Sequence, residues 1–245
     1  MARVWEQFLS ERDKAHFDAI GWLNRAPFGF GARPAIIVVD DYYSSVGHLR
    51  EPLMESIKTW PGSCGMEGWE TIDRTAELLE AARSHEVPIV YLHGMDFPSH
   101  WGGRPKSPSN LGHLPTELQG MANEIVEEIA PQSGDLVLEK EGPSAFHRTP
   151  LQDHLVYLGV DTLLVVGEST SGCVRATVVD GTSLRYKMGV VEECVFDRTE
   201  ACHAISLLDM DLKYADVIDL ESAKHYLETG STAAVEEVKA TAAVV

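Results

Sequence analysis

Three stretches of the chain carry side chains able to do covalent chemistry, and each lies just past an apolar run. Ala35-Ile36-Ile37-Val38-Val39 leads into Asp40 and Asp41, and Asp135-Leu136-Val137-Leu138 leads into Glu139 and Lys140. Thr162-Leu163-Leu164-Val165-Val166 leads into Gly167-Glu168-Ser169-Thr170-Ser171-Gly172-Cys173. If these runs are strands of one open α/β sheet, an acid, a lysine and a cysteine arrive at the edge where such sheets bind ligands. Val174, Val178 and Gly181 then share a face at helical spacing, so Cys173 is expected at a helix N-terminus. The helix dipole and a nearby ammonium would both favour thiolate, the form that attacks a carbonyl carbon. The small residues before the cysteine permit a tight turn whose backbone N–H groups could face an oxyanion. Asp40 could accept the thiol proton and later hand it to a leaving nitrogen, with Lys140 fixing the charge balance. The same spacing also fits a turn-forming aspartate, a surface lysine and an inert core cysteine.

A resemblance separates these readings. Asp40 after Ile36-Ile37-Val38-Val39, the segment Lys140 to Phe146, and Ser169-Thr170-Ser171-Gly172-Cys173-Val174-Arg175-Ala176-Thr177 resemble the three signature blocks of the isochorismatase-like cysteine hydrolases. Glu193-Cys194-Val195-Phe196-Asp197-Arg198, continuing through His203 to Leu208 and Val217, is similar to one branch, which contains N-carbamoylsarcosine amidase and maleamate amidohydrolase. The likeness spans roughly residues 30–228. It implies an Asp–Lys–Cys triad with Asp40 as general base and acid, Lys140 as its charged partner and Cys173 as nucleophile. It further implies a cis peptide at Glu168–Ser169, an oxyanion hole from the amides of Ser169 and Cys173, and a substrate carboxylate held by Arg198. A structural ion pair is the alternative for Arg198.

The departures from the pattern fall around the expected pocket. Glu168 stands where relatives often carry a small or apolar residue, and Asp40-Asp41-Tyr42-Tyr43-Ser44-Ser45 replaces an Asp-x-Gln-like run. Glu168, Tyr43 and Tyr42 are therefore candidates for reshaping the site. His93, His100 and Trp101 are further pocket candidates, although packing would explain each equally well.

Positioning these residues requires six strands. Val87-Pro88-Ile89-Val90-Tyr91-Leu92 adds to the three runs above, and weaker runs follow at Met188–Val191 and Ala215–Ile218. They are continuously apolar, as strands buried on both faces of a parallel sheet are. Ile72, Ala76, Leu79 and Ala82 share one helical face between them, and Ala201, Ala204, Ile205, Leu208 and Leu212 share another. The alternation predicts a three-layer α/β/α sandwich around a mainly parallel, doubly wound sheet. Residues 1–30 are expected as a helical extension, with an amphipathic helix over 1–24, then a hydrolase domain over 31–230 and a frayed tail over 231–245. The stretch 94–116, rich in Gly, Pro, Ser and His, reads as a functional loop.

Composition bounds the partners. Twenty Lys and Arg against 38 Asp and Glu give a net charge of −18, which repels nucleic acid and anionic membranes. No signal-peptide-like run or transmembrane stretch is visible, and four cysteines without C-x-x-C spacing fit a reducing, cytoplasmic setting. The zinc-binding Asp-x-His pair of nicotinamidases is missing near His93, and no Gly-rich phosphate loop occurs, so neither metal nor cofactor is expected. The expectation is a homodimeric or homotetrameric amidohydrolase acting on a small linear amide or ureido compound through a thioester, releasing ammonia. A lactam hydrolase, an isochorismatase-type ether hydrolase and a scaffold with a dead site are the alternatives. The intact Gly-Cys-Val-Arg segment argues against the ether reading.

Overall fold

The computed structural model describes residues 3–22, 25–94 and 114–230. A short turn at Glu6–Phe8 and helix α1 (Glu11–Ile20) precede strand β1 (Pro34–Val39). Helices α2 (Tyr43–Val46), α3 (Leu53–Thr59) and α4 (Gly65–Ser84) lead to β2 (Ile89–Gly94), and α5 (Thr116–Met121) to β3 (Leu136–Lys140). Then come α6 (Leu151–Leu158), β4 (Thr162–Glu168), α7 (Arg175–Ser183), β5 (Lys187–Phe196), α8 (Glu200–Lys213), β6 (Asp216–Ile218) and α9 (Leu220–Thr229). Among the described residues no helix is long and apolar enough to cross a membrane.

The six strands form one sheet in the order β3-β2-β1-β4-β5-β6, and every pairing is parallel. Side chains alternate across it. Ala35, Ile37 and Val39 join a core cluster with Leu151, Leu155, Val178 and Leu207, while Ile36 and Val38 face Ile72, Leu79 and Tyr226 on the other side. Both faces are covered along β1 and β4, which is why these strands read as unbroken apolar runs, whereas the edge strand β3 leaves Val137 exposed. The expected doubly wound sandwich is observed, wholly rather than mainly parallel.

Two local expectations are corrected. Residues 1–24 do not form one amphipathic helix. Ser10 starts a new one, accepting the Asp13 amide while Asp13 accepts the Ser10 amide. Trp5 and Phe17 anchor the segment in the first core cluster, and Arg3 donates to the Val217 carbonyl at the sheet edge. The cysteine does not open its helix either. Cys173 lies in a wide turn, Thr170–Val174, and α7 begins at Arg175.

The chain leaves β1 toward β2 on one side and returns as β4 on the other, so a crevice opens between the carboxyl ends of β1 and β4. Gly167 sets how closely these ends meet. It pairs with Val39 at a φ of 105°, and a Cβ there would lie 2.1 Å from the Val39 carbonyl oxygen. Gly167→Ala must therefore push the two strand ends apart, at about 3 kcal/mol in urea unfolding. Gly120→Ala, with open space around it in α5, is the control and should be neutral or slightly stabilising. Equal stability of the two variants would show that the close approach is dispensable.

Candidate active site

The edge above β1, β3 and β4 brings the predicted triad together. Asp40 sits one residue past β1 at a φ of 58°, which turns its side chain back over the sheet edge. Its Oδ2 lies 2.7 Å from Lys140 Nζ, and the same ammonium donates to Cys173 Sγ at 3.4 Å and to the Gly142 carbonyl at 3.2 Å. Asp40 and Lys140 are almost sealed from solvent, at 7% and 6% exposure, so each depends on the other's charge. The second Asp40 oxygen, Oδ1, accepts the Tyr42 hydroxyl at 2.6 Å, and that hydroxyl in turn accepts the Gly94 amide. Tyr42 thus ties the end of β2 to the aspartate.

The cysteine turn is held from several sides. The Glu168–Ser169 peptide is cis, and the amides of Gly172 and Val174 both donate to the Ser169 carbonyl. The Ser171 amide donates to Asp197 at 2.8 Å, and the Thr170 hydroxyl meets His203 Nδ1 at 2.9 Å. Thr177 donates to the Cys173 carbonyl and accepts the Ala145 amide, which links the lysine segment to the helix after the cysteine.

The electrostatics differ from a simple helix-terminus thiolate. Burial, and then the Asp40 carboxylate, push the Cys173 thiol up to about 12, against the pull of Lys140. Cys173 is therefore held as a thiol. Burial works to lower the Lys140 ammonium, but Asp40 and Cys173 outweigh it and hold it above its ordinary value. Asp41 makes no hydrogen bond to this group. It is 1% exposed, neither carboxylate oxygen has a hydrogen-bond partner, and burial with Glu168 and Asp40 nearby raises its carboxyl well above the usual range.

The remaining candidates scatter. Arg198 is already occupied, with Nη1 2.7 Å from Glu168 Oε2 and Nη2 donating to Oε1 at 3.2 Å, so its ion-pair alternative is what the structure displays. Tyr43 turns away from the triad. Its ring rests on Trp69 and its hydroxyl accepts the Glu127 amide, so Tyr42 is the tyrosine that reaches Asp40. His93 packs edge-on against Tyr42, 5.4 Å between ring centres. His100, Trp101 and most of the expected loop 94–116 lie outside the described residues. Sequence reasoning did not find His203 or Asp197 as props of the cysteine turn, because nothing in their local spacing links them to it. Among the described residues, no three or more His, Cys, Asp and Glu side chains gather as metal ligands would.

An acid, a lysine and a thiol in contact at the carboxyl edge of a parallel sheet make a group able to carry out hydrolysis through sulfur. The Isochorismatase domain family matches residues 56–222, and the chain belongs to that family. Maleamate amidohydrolase of Pseudomonas putida is 34% identical over 203 residues, covering 81% of this chain and 89% of that protein. N-carbamoylsarcosine amidase of an Arthrobacter species is 31% identical over 208 residues, covering 82% of this chain and 73% of that protein. The solved N-carbamoylsarcosine amidase of Thermoplasma acidophilum superimposes with a TM-score of 0.58 at 25% identity, covering 77% of this chain and 97% of that one. Both named relatives hydrolyse carbon–nitrogen bonds outside peptides.

Two measurements check these electrostatics. Because the raised thiol is protonated at neutral pH, alkylation of Cys173 by iodoacetamide should be slow at pH 7 and keep climbing beyond pH 9. It must be read on the Cys173 peptide, since Cys202 is exposed. A plateau reached below pH 8 would mean a resting thiolate. For Asp41, the folded carboxyl is raised above its unfolded value, so the unfolded chain releases the proton first. Stability is then lost as pH rises from the unfolded value, about 4, toward the folded one. Asp41→Asn removes that loss, and its advantage in urea unfolding should grow between pH 4 and pH 7. A difference constant across pH would contradict a neutral buried Asp41.

Proposed function

We propose that this hydrolase cleaves a C–N bond of a small linear amide or ureido (N-carbamoyl) compound through a thioester on Cys173, releasing ammonia. The observation that carries the reading is the contact of Asp40, Lys140 and Cys173 in one buried group. Asp40 takes the proton from the Cys173 thiol as Sγ attacks the carbonyl carbon, so charge never has to be stored on sulfur beforehand. Lys140 compensates the negative charge while it passes between carboxylate, thiolate and substrate. The amides of Ser169 and Cys173 are proposed to receive the oxyanion, as the tight wrap of the turn around the Ser169 carbonyl supports. Protonated Asp40 then gives its proton to the leaving nitrogen, the C–N bond breaks, and ammonia departs. In the second half Asp40 deprotonates a water, which attacks the thioester carbonyl. The thiolate leaves, recovers a proton, and the acid product is released.

A lactam would use the same acyl-enzyme. Ether hydrolysis would need no nucleophilic thiol, and the thiol's contact with Lys140 favours the amide reading over it. Glu168 and Arg198 are proposed as residues lining the substrate side, with a small molecule as the partner, a cytoplasmic setting and a homo-oligomeric assembly.

Ammonia release from a panel of linear amides and N-carbamoyl compounds tests the proposal. Cys173→Ala should abolish it with folding intact, and Asp40→Asn and Lys140→Ala should each cost on the order of a thousandfold in the acylation rate, because members of one catalytic unit are not additive. Treatment with a strong chelator should leave the rate unchanged. Turnover of an ether substrate that survives Cys173→Ala would overturn the assignment.

A further inference from the structure

We infer that Glu168 is a specificity-determining residue: seated on the Arg198 guanidinium beside the nucleophile, it sets this site for uncharged amides and against carboxylate-bearing ones. The inference rests on the amidohydrolase reading for its substrate class and on the geometry of the pair for its sign.

Arg198 Nη2 donates to Glu168 Oε1 at 3.2 Å and Nη1 lies 2.7 Å from Oε2, an ion-pair contact that leaves Oε2 buried without a hydrogen bond. The Glu168 side chain is 12% exposed, whereas that of Arg198 is 43% exposed. The acid is therefore the inner member of the pair, and the arginine is the member that solvent or a ligand can reach. Glu168 is the last residue of β4, directly before the turn that carries Cys173, and its charge is among those felt by the thiol. The other cation at the nucleophile, Lys140, is held by Asp40. Lys140, which contacts the thiol, and Arg198, which contacts Glu168, thus each have a carboxylate of their own. The acids outnumber them, because Asp197 also lies here, with its two oxygens on the amides of Ser171 and Arg198.

A substrate carboxylate entering this site has two options. It can displace Glu168 from Arg198, which strands a buried acid without a partner, or it can stay unpaired beside the acids already present. Both are costly where water is excluded. The net charge of −18 opposes an anion from a distance as well. An uncharged amide meets neither penalty and finds Arg198 still able to donate from its outer edge.

Iodoacetamide and iodoacetate, which differ in charge and hardly in shape, test this without any substrate. The ratio of iodoacetate to iodoacetamide labelling is measured on the Cys173 peptide in the folded protein and in the protein unfolded in urea. In the wild type the folded ratio should fall about tenfold or more below the unfolded one, and Glu168→Gln should raise it about tenfold by freeing Arg198. Adding Arg198→Gln to Glu168→Gln should remove that gain. For hydrolysis, kcat/KM for an N-carbamoyl amino acid relative to its amide should move in the same direction. A wild-type ratio equal to or above the unfolded one overturns the inference, as does a ratio indifferent to Glu168→Gln. If that variant does not fold, Glu168→Ala takes its place with the same expected gain and the same overturning result. Charge discrimination at Cys173 without ammonia release from any amide would sink the amidohydrolase reading instead, so the two failures are distinguishable.

Discussion

The buried ion pair between Asp40 and Lys140 is the interaction on which the rest of the site depends. Two opposite charges withdrawn from water repay their desolvation only when geometry is good and the remaining hydrogen-bonding capacity is used. Both conditions fall to the fold. Lys140 ends β3 and Asp40 follows β1, with β2 between them, so the contact exists only because the three strands run parallel with their ends level. The Tyr42 hydroxyl satisfies the second carboxylate oxygen, and the Gly142 carbonyl and Cys173 Sγ use the ammonium's other donors. Removing either Asp40 or Lys140 leaves the other charge stranded, which is the expensive case.

That pair also decides how the nucleophile works. A thiol at the start of a helix beside a lysine would by habit be read as a thiolate. Here the cysteine lies in the turn before its helix and Asp40 stands within the same group, and burial with that charge outweighs the pull of Lys140. The resting site therefore holds one ion pair and one neutral thiol rather than three charges in a closed space. In the proposed reaction the proton moves when substrate arrives, and Asp40, oriented by Tyr42 and Lys140, is the acceptor.

The sheet was legible in the sequence because strands buried on both faces write themselves as unbroken β-branched runs, and all six were visible. The convergence of Asp40, Lys140 and Cys173 followed from the rule that parallel strands end at one edge. Other features were not legible, for physical reasons. Tyr42 and Tyr43 are chain neighbours of one type, and only tertiary contacts reveal that the first reaches Asp40 while the second rests on Trp69. The break at Ser10 was overridden by apolar periodicity, although Ser10 and Asp13 carry the capping pattern in plain view. The partner of Arg198 lies 30 residues away on another strand, so its ion pair could be offered only as an alternative.

Around Cys173 the described residues form two acid–base pairs of opposite purpose. The Asp40–Lys140 pair is sealed and touches the sulfur, and in the proposed reaction Asp40 exchanges the proton while Lys140 keeps its charge. The Glu168–Arg198 pair has one buried and one accessible member, and no proton need pass through it. It acts as a fixed dipole whose negative end is turned inward. Because the inner member is the acid, the inferred field at the sulfur opposes an anion even though the arginine is the more exposed partner. A site can therefore keep an arginine at its mouth and still disfavour carboxylates, when the charge that reaches the reacting atoms belongs to the residue behind it.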